Sequence, residues 1–209
     1  KSHLWGFGLT EENAGCDSRG TQSTARLEGD KWIVNGSKIF ITNSATPMTL
    51  GSTIQVITGE NNGKPEFTTF IIENDTEGFS QEPMHRKMMW RASNTGKLTF
   101  NNVELPKENM LGKPGQGSHI MLATLDGGRL SIAAMGLGCA QGAYEMALAY
   151  SQKREQFGKQ ICKFQAVSFK LADMAMKIEA ARCLLYKACR IKDAGLPYGK
   201  EAAMAKLYC

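Results

Sequence analysis

The hydrophobic period of this chain changes once, near residue 110, and the change calls for two different kinds of packing. Up to about residue 105, apolar and polar residues alternate, as in STARLEGDKWIVNGSKIFIT over 23–42. That is the two-residue repeat of strands with one buried face. Gly29-Asp30 and Asn35-Gly36 read as hairpin turns inside that run. STIQVIT and EFTTFIIE follow, separated by the polar cluster GENNGKP, and GKLTFNNVELP closes the half at Pro106. Short antiparallel strands joined by Gly/Asn turns predict a small barrel or sandwich.

After the glycine-rich LGKPGQGS the period becomes that of a helix. A proline-free segment runs from about Ser118 to Arg154, with glycines at 127, 128, 136, 138 and 142 that suit close approach of a neighbour or ligand. Phe164, Val167, Leu171, Met174, Ile178, Ala181, Leu185 and Ala188 then recur at three- and four-residue steps, one face of an amphipathic helix. Gly195 and Pro197 stop it. A third helical pattern starts near Tyr198 and runs to Cys209 without a cap. The reading is therefore α+β: an antiparallel β-barrel or sandwich domain at 1–110, then part of an antiparallel helical bundle at 111–209. Both ends are abrupt, which leads us to expect a piece of a longer protein.

Charge and cysteine usage narrow the function. The 25 basic and 20 acidic residues give a net charge of +5, with the basic residues scattered. Nucleic-acid binding is not expected, whereas a phosphate-rich small ligand suits this balance. No apolar run approaches the roughly 20 residues of a membrane span, so no membrane is expected. KSHLWGFGLT lacks the architecture of a signal peptide. Cys16, Cys139, Cys162, Cys183, Cys189 and Cys209 show no C-x-x-C spacing, so no metal site is expected. They read as small buried hydrophobes in a reducing compartment. His3, His85 and His119 stand alone, without the orienting partner that a catalytic histidine needs.

One stretch does not fit a plain strand. FGLTEENAG, Phe7 to Gly15, breaks an apolar run with two acids, an amide and a glycine. Taken alone it is an ordinary turn. Taken with NGSKIFITN (35–43), RASNTGKLTFNNVELPKENMLGKPGQG (91–117), LDGGR (125–129) and KREQFGKQICKFQ (153–165), in that order, the chain resembles the acyl-CoA dehydrogenase family. The resemblance covers the middle β domain and part of the C-terminal helical domain.

That resemblance implies FAD as cofactor and the α,β-dehydrogenation of an acyl-CoA to a trans-2-enoyl-CoA, with electrons passing to an electron-transferring flavoprotein. It implies short-chain substrates and a homo-oligomer, tetrameric in the longer parent. The compartment would be the cytoplasm of a bacterium or the mitochondrial matrix. Phe7, Leu9, Thr10 and Gly15 match the first flavin loop, where Thr10 would offer its hydroxyl to the ring. Phe40, Ile41 and Thr42 match the second, with Phe in place of the usual Trp. Arg154, Phe157 and Gln165 match the binding of the flavin diphosphate and adenosine, partly across a subunit boundary. Cys16, Asp126, Gly127, Gly128 and Arg129 match substrate positions. Cys16 stands where Ser or Thr is common, and Glu12 where Pro is usual. Some members carry the catalytic carboxylate immediately before the Arg of the LDGGR-type segment. Here that position is Gly128, so no catalytic residue is expected in the chain and the base is expected beyond Cys209.

Rival readings are an acyl-CoA oxidase or nitroalkane-oxidase-like flavoenzyme, or a non-catalytic binding or structural module. Without the resemblance, Phe40–Thr42 is equally a plain strand. Asp126–Arg129 is then a packing notch with an exposed ion pair, and QKREQFGKQ a solvated helix end.

Overall fold

The computed structural model describes residues 3–209. The chain forms two compact units, the first extending to Leu122 and the second Ala123–Cys209. The first unit holds strands β1 (Leu4–Gly8), β2 (Thr24–Glu28), β3 (Lys31–Thr42), β4 (Thr49–Asn61), β5 (Lys64–Glu73), β6 (Phe79–Pro83), β7 (Thr95–Pro106) and β8 (Met110–Leu111). They make one eight-stranded sheet in the order β6-β7-β3-β2-β4-β5-β8, with β1 attached to β4.

The sheet is mixed rather than wholly antiparallel. β1 runs parallel to β4, and the bridge Thr24↔Ile57 that joins β2 to β4 is also parallel. Among the described residues no ladder joins β6 to β8, so the α+β class stands but the sheet does not close into a barrel. That single bridge links two wings whose apolar faces meet. Trp32 on β3 packs edge-on against Phe70 on β5, ring centroids 5.3 Å apart, over a core that includes Val34, Ile54, Leu98 and Leu105. β7 shows the expected alternation: Gly96, Leu98 and Phe100 are buried and the residues between them are not.

Asn35-Gly36 is not a turn. β3 runs straight through it and changes register against β7 between Val34 and Gly36. The Asn35 amide donates to Asn102 Oδ1 (3.0 Å) and accepts the Asn102 N–H (2.9 Å). The apolar runs on both sides of Asn-Gly pair with the same neighbour, so the dipeptide continues the strand, and the extra residue of the bulge lies opposite it on β7, between Phe100 and Val103. Gly36 has φ +134°, and a Cβ there would lie 2.3 Å from Ser23 Oγ. GENNGKP is mostly strand as well: only Asn62-Gly63, with φ +52° and +74°, turns the chain between β4 and β5.

The second unit is helical, and the unit boundary falls within α1 (Gly117–Lys153). A short hairpin, β9 (Glu155–Gln156) with β10 (Lys159–Gln160), leads to α2 (Gln165–Asp193) and α3 (Gly199–Tyr208). Leu130, Ala133 and Leu137 of α1, Ile178, Ala181, Leu185 and Ala188 of α2, and Ala202 and Ala205 of α3 form one core. Only the second half of the predicted α2 face is buried; Phe164, Val167, Leu171 and Met174 are half-exposed. α2 ends at Gly195 (φ +70°), with Leu196 N–H donating to the Ile191 carbonyl and Gly195 N–H to that of Lys192. That is a Schellman stop, as the sequence suggests.

Two expectations need correction. α1 is long and apolar enough, by length and composition, to cross a bilayer, because its glycines and alanines extend an apolar stretch that short apolar runs conceal. Its Leu130–Leu137 face, however, is committed to the helical core. The cysteines are free, but none is buried: Cys16, Cys139 and Cys183 are exposed and the others half-exposed. Cys139 and Cys183 fall on the helix faces opposite the buried stripes of α1 and α2.

Candidate functional site

The stretch that breaks β1 folds as a loop pinned to β3. Phe7, half-buried, still pairs with Thr53 of β4. Beyond Gly8, Leu9 and Thr10 leave the ladder, and the Thr10 carbonyl accepts Ile39 N–H at 2.9 Å. Glu11 and Ala14 exchange backbone hydrogen bonds of 2.9 and 3.2 Å, closing a tight turn over Glu12 and Asn13. Glu12 reaches Lys97 on β7 at 3.0 Å. Gly15 and Cys16 follow on the surface. A Cβ on Gly15 would meet no protein atom, so nothing in the chain itself requires glycine there.

The buried end of this loop is an ion pair that the sequence reading missed. Lys38 Nζ lies 2.7 Å from Glu11 Oε1, with both side chains almost wholly out of solvent. Glu11 also accepts Gln22 N–H (2.7 Å) and Ser23 N–H (3.2 Å). Burial alone would raise the Glu11 carboxyl, but Lys38 and these N–H groups outweigh it and hold the group below the ordinary carboxylate range. Burial pushes the Lys38 ammonium down, against the pull of Glu11.

A second break in β3 aims Phe40. The register against β7 shifts again between Lys38 and Ile41. Phe40 takes φ +62°, unusual for an aromatic residue, and is 60% exposed. Ile41 turns back into the core, leaving only its backbone for any ligand, and Thr42 is exposed opposite Thr95. Thr10 thus lies beside Ile39, in the same short reach of β3 as Phe40 and Thr42. Non-glycine residues held at positive φ concentrate at functional sites.

In the second unit, Arg129 Nη1 donates to Asp126 Oδ1 at 2.8 Å. A Cβ on Gly199, the first residue of α3, would stand 3.3 Å from Asp126 Oδ2, so the carboxylate faces the positive end of that helix. A Cβ on Gly127 would stand 3.8 Å from both Lys192 Nζ and Tyr198 Oη. Lys192 and Tyr198 therefore join the cluster; in the sequence they merely end one helix and begin the next. Gly128 is exposed, with open space around it.

Arg154 and Gln165 bracket the β9–β10 hairpin, both exposed. Phe157, at its tip with φ +52°, is 94% exposed and meets Phe164 edge-on at 6.2 Å. Lys159 Nζ sits 4.4 Å from the Phe164 centroid. Arginine beside exposed aromatic surface is a donor set suited to a diphosphate and an adenine. Among the described residues no cluster of His, Cys, Asp and Glu could hold a metal ion.

Two family profiles match the chain: "Acyl-CoA dehydrogenase, middle domain" over residues 6–103 and "Acyl-CoA dehydrogenase, C-terminal domain" over residues 115–209. A short-chain specific acyl-CoA dehydrogenase of Clostridium acetobutylicum is 48% identical over 202 residues, which are 97% of this chain and 53% of that protein. The structure of butyryl-CoA dehydrogenase from Megasphaera elsdenii superposes with a TM-score of 0.91 at 46% identity, over 99% of this chain and 54% of that one. A structure described as the electron transferring flavoprotein of Acidaminococcus fermentans superposes at 0.90 with 48% identity, over 99% and 54%. The chain spans about half the length of the curated relatives it matches.

Proposed function

This chain belongs to the acyl-CoA dehydrogenase family, and we propose on that premise that it carries flavin and thioester sites of a short-chain acyl-CoA dehydrogenase. The family consists of FAD-dependent oxidoreductases. Bound FAD supplies the acceptor for the β-hydride of an acyl-CoA whose α-proton a carboxylate removes, giving the trans-2-enoyl-CoA. The residues present fit the cofactor. Thr10 offers an N–H and a hydroxyl to the polar edge of the ring, Phe40 offers an exposed aromatic face, and Thr42 a second hydroxyl. Arg154 offers a permanent positive charge to the diphosphate, with Phe157 and Gln165 at the adenosine. Asp126, Gly127, Gly128 and Arg129, with Cys16, are assigned to the thioester and coenzyme A. Apolar surroundings that exclude water would strengthen every electrostatic contribution to α-proton removal.

The observation that carries this reading is the 2.9 Å hydrogen bond from Ile39 N–H to the Thr10 carbonyl, which sets two segments some thirty residues apart side by side. The base is a different matter. Glu11 is locked in a buried pair, Glu12 is paired with Lys97, Asp126 with Arg129, and Gly128 has no side chain. We assign the base to a carboxylate outside these 209 residues, the electron acceptor to an electron-transferring flavoprotein, and the working state to a homo-oligomer in a bacterial cytoplasm or mitochondrial matrix. Titration with FAD, followed by the shift of its absorption band and quenching of its fluorescence, tests the flavin assignment. Saturable binding that Arg154→Ala and Thr10→Ala each weaken supports it. Absence of saturable binding overturns it.

A further inference from the structure

The Leu9–Thr10 peptide is gripped from inside the fold. Besides Glu11, Lys38 Nζ donates to the Leu9 carbonyl at 3.3 Å. That carbonyl and the Thr10 N–H belong to one planar trans peptide unit, so they point to opposite sides. Drawing the carbonyl inward turns the Thr10 N–H outward. The Thr10 carbonyl is already taken by Ile39. Among the described residues no protein group accepts from the Thr10 N–H or its hydroxyl. The fold thus spends the loop's acceptors on β3 and leaves its donors for something else.

The ion pair is a costly way to fill this space. Apolar side chains of similar volume are often as stabilising as a buried pair, or more so. They would, however, leave the Leu9 carbonyl and the Gln22 and Ser23 N–H groups without partners and the peptide free to rotate. Ser23 Oγ extends the same network to Ser37, donating to its carbonyl and accepting its N–H at 3.2 Å each. Three segments are therefore fixed to one carboxylate and one ammonium. We propose that Lys38 and Glu11 are positioning residues: they touch no ligand, and they hold the Leu9–Thr10 peptide so that the Thr10 N–H and hydroxyl face the flavin ring. The inference rests on the flavin reading above for the identity of the ligand, and on this chain alone for the orientation of the peptide.

The test uses the Lys38→Met/Glu11→Leu double variant of the 209-residue chain, with Glu11→Gln as a second variant that keeps the volume should the first not fold. Amide hydrogen exchange is read at Glu11 and Ala14 and across the β3–β7 ladder, and FAD affinity is measured by titration. The expected result is exchange at Glu11 and Ala14 accelerated on the order of tenfold or more, with ladder protection retained. FAD affinity should fall on the order of tenfold, with the bound spectrum moving toward that of free flavin. Unchanged exchange in the loop overturns the proposal. So does a loosened loop with unchanged FAD affinity and spectrum. If the unmodified chain binds no FAD while the variant loop loosens as expected, the orientation of the peptide stands and the flavin reading is what fails.

Discussion

Lys38 shows where residue-level reading stops. In SKIFIT simple alternation puts Ile39 and Ile41 inside and Lys38 and Phe40 outside. The register shift between Lys38 and Ile41 reverses the first half of that pattern, so the lysine goes in and the isoleucine comes halfway out. A bulge is one residue of backbone geometry and leaves no mark on composition. The only available hint was its partner, an acid in an apolar run at FGLTEENAG. The pair makes a measurable difference to stability. Lys38→Met alone leaves Glu11 charged and buried, and should cost about 3–5 kcal/mol in chemical denaturation, far more than the double change to apolar residues. Because Glu11 is held below its ordinary range, its contribution is complete above about pH 4.5 and is lost as pH falls through the lowered value. Stability measured from pH 6 to pH 3 should drop more steeply in the unmodified chain than in Glu11→Gln. Parallel curves would mean that Glu11 is not held in this way.

Elements were more legible than their joints. The helices were placed within a residue or two, because proline and glycine punctuate their ends: a proline-free run for α1, and Gly195 and Pro197 between α2 and α3. Asn35-Gly36 misled because the same dipeptide serves a hairpin turn and a strand facing a bulge on its neighbour, and only the pairing of what flanks it decides. The glycines of α1 likewise look alike in sequence and differ in surroundings. A Cβ on Gly117 would lie 2.7 Å from the backbone of Phe67 and Thr68 on β5, whereas Gly128, Gly138 and Gly142 face open space. Gly117→Ala should destabilise by about 1–3 kcal/mol through overpacking. Gly128→Ala should stabilise by about 0.5–1 kcal/mol through helix propensity alone. Thermal unfolding of the two variants should move in opposite directions. A common direction would mean that propensity, not contact, governs both.

For the molecule as a whole, the decisive question is which carboxylate could take a proton from a substrate. The local motifs point to the proposed flavin loops, and the proposal that no base lies beside them rests on the partners of their acids. In FGLTEENAG and LDGGR, Glu11, Glu12 and Asp126 are engaged and Gly128 is bare. Dehydrogenation needs a basic group at the α-carbon, and general-base assistance contributes about 10²–10⁴-fold, so its loss should be plain. Mixed anaerobically with FAD and butyryl-CoA, the 209-residue chain should leave the flavin absorption band unbleached over times in which a full-length short-chain relative bleaches it completely. Gly128→Glu supplies a carboxylate at the one position where the family offers an alternative. The open space there means that the side chain displaces nothing, and a glycine replaced within a helix should not lower stability. Bleaching that appears with Gly128→Glu and not with Gly128→Gln would identify the missing base as the only obstacle. Rapid bleaching by the unmodified chain would show that a carboxylate within the chain is the base after all. Repeating the assay with Glu11→Gln, Glu12→Gln and Asp126→Asn would then show whether it is one of these three.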